Sequence, residues 1–578
     1  MRQLLAPAEL LTLALLLVAC GVMSVGTFAA SAGIPLRPAV ILLTSVVISA
    51  TIIVWCARHS LPRPDGSRRE RLTTAIAALL VMSIVAGYVS WLAWPTLFPV
   101  TAGPDLVHHL SLIHFIQQRH VLPADPAFGA YLGEMTGYPP GSHILAAMAG
   151  EWLQRDAIEV VHPITATAVA LKAGLVFHIS WRLLPSSSAR TALAFGGALL
   201  VLAPHPYVLT PVTHYGFYSQ VLAETCALAM FWAVIAWYQA PARAWLVVQA
   251  IMGICVVLTW PVFLPVPATA AVACIATLQT DTLRRRGTNL AIALGPVALV
   301  VAAFTAARVG SAGILSSGGD VLTPAVALFG WPFLALTIAG AVAAVRAGRA
   351  MLPLVAFTAA CLLQIAGLIV LQHQLRATNY YLGFKTVHLL VYAMVILAAL
   401  GLAAAWRVLS NAAPQAWRTS VTRAAWVVPV IVVASLLSSD LPSAPLSSPL
   451  TRPVYRAGQW ARTHVPANCV DYLVPHWLTA YWLHIDVLGN ARASARVSDA
   501  TYDFRQTMGP WIGTGSMQYA VVEDWDLVPG EARDRMRVLE QHGSAAVVER
   551  TDGGGACRDS TPPIDQIGQI GLARVTGR

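Results

Sequence analysis

The sequence predicts a polytopic α-helical membrane protein of about thirteen transmembrane helices, followed by a small C-terminal α/β domain. Three observations predict it. Of 578 residues, 57% are hydrophobic and only 11% charged, where soluble domains carry about 25% charged residues. Apolar runs recur at lengths near the ~20 residues that cross a bilayer. From Asp440 onward the composition turns into that of a soluble domain. The formal net charge of +10 comes from basic residues in short loops between apolar runs. That placement is the positive-inside signal of a membrane protein, so no nucleic-acid partner is expected.

The first run, Leu10 to Ala32, is longer than a signal peptide and reads as a retained anchor. The second, Ala39 to Ala57, leads into Arg58, Arg63, Arg68, Arg69 and Arg71, a basic loop expected in the cytoplasm. The third, Thr73 to Trp94, returns outward. The N-terminus is therefore expected inside, and the loop 95–160 outside. Runs near 161–183, 191–209, 219–238 and 245–280 follow, the last broken into two helices by Trp260-Pro261 and Pro265-Val266-Pro267. Runs near 289–308, 322–344, 352–372, 387–405 and 424–437 complete the series. Arg182, Arg190, Arg243, Arg284 to Arg286, Arg346, Arg349, Arg407, Arg418 and Arg423 all fall on the inner side of this alternation. Residues 1–438 thus form the membrane domain of a multi-pass plasma-membrane protein, and 439–578 an extracytoplasmic domain.

In that domain, Leu441 to Pro453 reads as a linker. Strands are expected at Cys469 to Val474, Tyr519 to Val522 and Ala545 to Val548, and helices at His476 to Leu488 and Glu531 to His542. Six cysteines lie in apolar runs, as small hydrophobes do. Cys469 and Cys557 lie in the outer domain, where oxidising conditions favour a disulfide between them.

Chemistry gathers on the outer face. Asp105, His108 and His109 begin an amphipathic stretch, His108 to His120, of the kind that lies in the membrane interface. Asp105 is either a helix N-cap, a general base that takes a proton from an acceptor hydroxyl, or a metal ligand. A divalent cation (Mg, Mn or Ca) held by Asp105 and His109 is one of the open roles. Glu134 and His143 flank Tyr138-Pro139-Pro140-Gly141, a rigid turn that either is ordinary turn chemistry or aims His143, and with it Glu134, back toward Asp105. A second outer loop carries His214, Tyr215 and Gln220, and Glu224 just inside the next span needs a partner. A third carries Arg376, Tyr380, Tyr381 and Lys385, one of only two lysines. Cations on the wrong side of the positive-inside pattern suit an anion held there, such as a lipid phosphate. An unspecific headgroup contact is the plainer alternative.

With these residues in place, the chain resembles the GT-C superfamily, polytopic glycosyltransferases that use polyprenyl-phosphate-linked sugars. Its members include protein O-mannosyltransferases, the lipid A aminoarabinose transferase and actinobacterial arabinofuranosyltransferases. The resemblance lies in the layout: many spans, an acidic motif in the first large outer loop, and a C-terminal outer domain. It implies that Asp105 is the catalytic or metal-linked aspartate, and that Tyr380, Tyr381 and Lys385 meet the donor phosphate. Thr479 to His484 and Leu488-Gly489-Asn490 are similar to C-terminal segments of such enzymes. The chain departs from the pattern in two extra leading spans and in having Asp105-Leu106 where many members have two adjacent acids.

The expected function is transfer of a sugar from a polyprenyl-phosphate donor to an envelope glycan, lipid or protein at the outer face, with inversion. Frequent Arg and Ala with scarce Lys suit a GC-rich genome, and the likeness suggests a pentose donor such as polyprenyl-phosphate arabinose. Two rival readings stand. A transporter or flippase of a lipid-linked substrate would use ionisable groups inside spans, here Lys172, His178 and Glu224. A non-catalytic envelope assembly protein would use the α/β domain as its contact surface.

Overall fold

A computed structural model describes residues 7–58, 68–101, 103–278, 282–306, 319–412, 424–437, 440–491, 517–552, 557 and 564. The membrane part is built from α1 (Pro7–Ser31), α2 (Pro38–Arg58), α3 (Arg68–Leu92), α4 (Asp105–Arg119), α5 (Gly141–Leu153), α6 (Ala157–Leu183) and α7 (Arg190–Leu199). It continues with α8 (Tyr218–Gln239), α9 (Arg243–Thr259), α10 (Pro265–Thr277), α11 (Leu283–Ala306), α12 (Trp331–Ala347), α13 (Leu352–Gln374), α14 (Tyr381–Ala412) and α15 (Val427–Leu437). Among the described residues, eight helical stretches are long and apolar enough to cross a bilayer. One of them, Trp331–Gln374, is broken by the 3-10 turn Gly348–Met351 into α12 and α13. Four shorter apolar helices accompany them: Arg190–Leu202, Arg243–Thr259, Pro261–Thr277 and Val427–Leu436. The chain is a multi-pass membrane protein.

Burial separates inner from lipid-facing helices. The apolar window of α8 is 94% buried and that of α6 83%, against 17% for α11 and 22% for α2. A helix apolar all round is expected either in a core or against lipid, and both kinds occur here. α12 and α14 approach most closely where glycines face each other. A Cβ on Gly340 would lie 1.7 Å from the Leu397 carbonyl oxygen, and one on Gly401 2.0 Å from that of Leu336. Such contacts let backbones meet where no hydrophobic force drives helices together.

Beyond α15 the chain runs along the end of α3, where Leu446 N–H donates to the Leu92 carbonyl at 2.7 Å and Tyr88 Oη to that of Pro442 at 3.1 Å. The expected linker ends in a helix that the sequence reading missed, α16 (Arg452–His464). Thr451 caps it and Pro453 stands in its first turn, a start signal that lay in plain view. Strands β1 (Val470–Leu473), β2 (Tyr519–Val522), β3 (Met536–His542) and β4 (Ala545–Arg550) form one sheet in the order β1-β2-β4-β3. β1 pairs parallel to β2, and the other pairs are antiparallel. Between β1 and β2 lies α17 (Trp477–Trp482), which runs into a π-helical turn, Leu483–Val487.

One expectation is corrected. Glu531 to His542 is not a helix: only Gly530–Arg533 is helical, and Met536–His542 is an edge strand. Its Arg, Leu, Glu and Gln residues favour helix, but Gly543, at φ +60, turns the chain back so that β3 and β4 pair as a hairpin. Cys469 and Cys557 are joined in a disulfide, with Cα atoms 4.2 Å apart.

Candidate active site

Two loops lock together to present Asp105. Thr101 is fully buried and its hydroxyl donates to the His214 carbonyl at 2.7 Å. A Cβ on Gly103 would lie 2.7 Å from that same oxygen. Gly216 has φ +70, and a Cβ there would lie 2.6 Å from the Leu106 side chain. Only residues without side chains allow the two loops this approach. Asp105 is the first residue of α4, and the N-cap is Pro104 with no side-chain cap. The aspartate is thus not spent on capping its own helix. α4 is not laid open on lipid either, because α5 and the C-terminal domain cover it and its apolar residues are buried, with His109 and Ser111.

Asp105 lies close enough to Lys385, His108, Glu134 and Asp320 to feel their charge. Burial pushes its carboxyl up, as do Glu134 and Asp320, while Lys385 and His108 pull it down. Lys385 is 3% exposed and sits in a cage of three rings. Its ammonium lies 3.6 Å from the Phe217 ring centroid, 4.3 Å from Tyr381 and 4.6 Å from Trp260. Among the described residues no carboxylate lies within salt-bridge distance of it. The ring faces hold the cation without neutralising it. Its place is fixed by Gln372, whose side-chain oxygen accepts from Leu382 N–H at 3.1 Å and Gly383 N–H at 3.2 Å and so caps the start of α14.

Beside Asp105 runs a buried imidazole pair. His109 Nδ1 and His143 Nε2 are 2.8 Å apart, one donating and one accepting. Burial pushes His109 well below the usual histidine range, helped by His143, and takes His143 down to about 3. Both are neutral near pH 7. His143 Nδ1 lies 3.3 Å from the Ser142 hydroxyl, which lies 2.6 Å from that of Ser219. The Tyr-Pro-Pro-Gly turn thus aims His143 at His109, while Tyr138 stacks on Trp260 with centroids 6.1 Å apart. Gly141 makes the turn possible, since a Cβ there would lie 2.7 Å from the Leu258 carbonyl oxygen.

His108 points the other way along α4. Its Nδ1 lies 2.8 Å from Glu134 Oε1 and its Nε2 2.7 Å from the Tyr481 hydroxyl. Tyr481 belongs to α17, so the C-terminal domain reaches into the site. Docking is completed by the His114 and Asp486 pair at 3.6 Å, and by Tyr455 donating to Asp156 at 2.6 Å.

Other expected site residues lie apart. His214 is exposed and contributes its carbonyl. Tyr215 stacks on Phe217 with centroids 4.8 Å apart, behind the lysine cage. Gln220 is no loop residue: it lies in α8 and donates to Glu224 at 2.9 Å. Glu224 finds its partner in Lys172 at 2.6 Å and also accepts from Tyr392 at 3.0 Å. Tyr380 lies 3.5 Å from the His373 ring nitrogen, and Arg376 is exposed at φ +53 in the turn before α14. No described contact ties Arg376 to Lys385 or Asp105. Phe217, Trp260 and Asp320 were missed in the sequence. The first two could have been found as aromatics on the same outer turns. Asp320 could have been found as an acid between two apolar runs.

Among the described residues no group of three His, Cys, Asp or Glu side chains is arranged to hold a metal ion.

No family model matches the sequence, and no curated protein matches it. Solved structures similar to the chain include the oligosaccharyltransferase AglB of Archaeoglobus fulgidus in complex with an inhibitory peptide and a dolichol-phosphate. That likeness has 14% identity and a TM-score of 0.45, and covers 79% of this chain and 70% of that one. ArnT of Cupriavidus metallidurans bound to undecaprenyl phosphate is similar at 14% identity and TM-score 0.44, over 85% of this chain and 100% of that one. Both likenesses are remote, and what the site can do follows from its own residues.

Proposed function

We propose that the chain is a membrane glycosyltransferase acting at the extracytoplasmic face, with its N-terminus in the cytoplasm. It moves a sugar from a polyprenyl-phosphate donor to a hydroxyl of an envelope glycan, lipid or protein. A pentose donor, such as polyprenyl-phosphate arabinose, is the candidate to try first. The observation that carries the proposal is the ring cage that sets Lys385 against the loop bearing Asp105, since Phe217 of the cage follows Gly216, which packs on Leu106. Asp105 and Lys385 come from segments 280 residues apart, the lysine has no carboxylate at salt-bridge distance among the described residues, and burial raises the carboxyl of Asp105.

In the step proposed, the acceptor oxygen forms a bond to the anomeric carbon as the bond from that carbon to the phosphate oxygen breaks. The acceptor proton passes to the Asp105 carboxylate, and the polyprenyl phosphate leaves as an anion. Lys385 stabilises the charge that develops on it. Direct displacement inverts the anomeric carbon. Glu134, His108 and Tyr481 bound the acceptor side, where the C-terminal domain contributes. No step is routed through a metal.

The transporter reading gains no support from its candidates, which are engaged with one another or with a neighbouring hydroxyl. Lys172 and Glu224 close on each other at 2.6 Å with at most 1% of either side chain exposed, and His178 lies 3.2 Å from Thr12.

The test is binding of a polyprenyl monophosphate to purified wild type, K385A and R376A, with transfer measured for D105N. Saturable binding lost in K385A, and transfer lost in a folded D105N that still binds donor, is the expected result. Full transfer by D105N would remove the assigned base. Absence of saturable binding by the wild type would remove the lipid-linked donor.

A further inference from the structure

We propose a second anion site, at the opposite end of the bundle from Asp105. It takes the phosphate of an anionic lipid of that leaflet. It lies where α9 and α11 begin, in a cavity of about 400 Å³ lined by Trp237, Arg243, Thr282, Arg284, Arg285 and Thr288 among others. The two ends are well separated. Tyr218, whose hydroxyl donates to the Ser142 carbonyl near the active site, starts α8, and Trp237 lies near its end. The 22 residues of α8 span roughly 33 Å at about 1.5 Å each.

Three features converge there. The N-termini of two packed helices carry partial positive charge, and neither has an acidic residue in its first turn. Arginines stand there instead, Arg243 on α9 and Arg284 on α11. Like charges gathered on two positive dipole ends are unfavourable unless an anion joins them. Arg243 and Arg284 have no acidic partner among the described residues. The leading N–H groups of α9 add donors, because Ala242 supplies no side-chain cap. Guanidinium forks suit phosphate oxygens. A pocket of this kind between transmembrane helices is the sort that takes a lipid headgroup. A free phosphate ester in solution offers the same chemistry. The inference does not rest on the glycosyltransferase reading, since it uses none of the groups around Asp105.

The experiment uses the full-length protein in nanodiscs containing a photoreactive phosphatidylglycerol or the matching phosphatidylcholine, with adducts mapped by peptide mass spectrometry. The expected result is preferential labelling of 237–246 and 282–289 by phosphatidylglycerol, falling roughly 25-fold in R243Q/R284Q, from about fivefold per arginine near a membrane surface. Competition by unlabelled phosphatidylglycerol, and none by inorganic phosphate, assigns the site to lipid. Complete protection by inorganic phosphate assigns the same anion site to a soluble ligand and overturns the lipid. Equal labelling by the two lipids, or by wild type and double variant, overturns the site. Should the double variant not fold, the ratio of the two lipids on the wild type decides alone.

Discussion

At the scale of residues, the site depends on two charges and on what each is denied. Asp105 is held in partial burial, which raises its carboxyl, while Lys385 draws it back. A base works only when ionised, so activity should fall as pH drops through this raised value, at a higher pH than for an ordinary carboxylate. Replacing Lys385 by Met removes the cation that lowers it. The acid limb of kcat/KM should then move further toward neutral pH, and a pH profile of the residual activity reads it. The ring cage gives a second expectation. Each cation–π contact is worth about 0.5–2 kcal/mol, so Phe217→Leu should weaken donor binding by roughly 2- to 30-fold while leaving Asp105 titration in place. The Lys172 and Glu224 pair behaves differently, because among the described residues neither has another salt-bridge partner. Glu224→Gln leaves a buried unpaired ammonium and should destabilise by about 3–5 kcal/mol. K172M/E224L should recover much of that, seen as melting temperature in detergent. Recovery of stability in the double variant marks the pair as scaffold rather than substrate site.

At the scale of elements, position is set by close backbone approaches. α14 carries Lys385 at one end and Gly401 on the face that meets α12. Gly340→Ala should force the two helices apart at a cost of about 1–3 kcal/mol, the range for overpacking. Because α14 moves as a unit, donor affinity should fall as well as the melting temperature. A variant that loses stability and keeps wild-type donor affinity would show that α14 is held from its Gln372 cap alone. α4 shows the reverse economy. It looks like an interfacial helix in sequence because its polar residues alternate with apolar ones. Its polar face is covered by Tyr481, Asp486 and the Ile564 carbonyl, which accepts from Arg119 at 3.2 Å. β3 is the plainest local misreading. Its residues favour helix one by one, and only a partner strand across Gly543 makes it extended.

At the scale of the molecule, the C-terminal domain is part of the site rather than an appendage. Tyr481→Phe removes one hydrogen bond, worth about 0.5–1.5 kcal/mol, and should raise the KM for acceptor more than that for donor. The disulfide closes a separation of 88 residues. Replacing both cysteines by serine should cost the domain about 2–5 kcal/mol, measured by its melting under conditions that leave the membrane helices folded. What the sequence by itself determined was whatever depends on composition and on neighbours along the chain. That includes the membrane helices and the strands at Val470, Tyr519 and Ala545. Tertiary structure alone decided which of the polar residues meet. His109 finds His143, Glu224 finds Lys172, and Lys385 finds three rings from three segments, while Arg376 and His214 stay exposed. The physical reason is that hydropathy and turn chemistry act over a few residues. Charge pairing and most ring contacts are fixed by packing between segments tens to hundreds of residues apart, where a glycine or a fully buried threonine sets the distance.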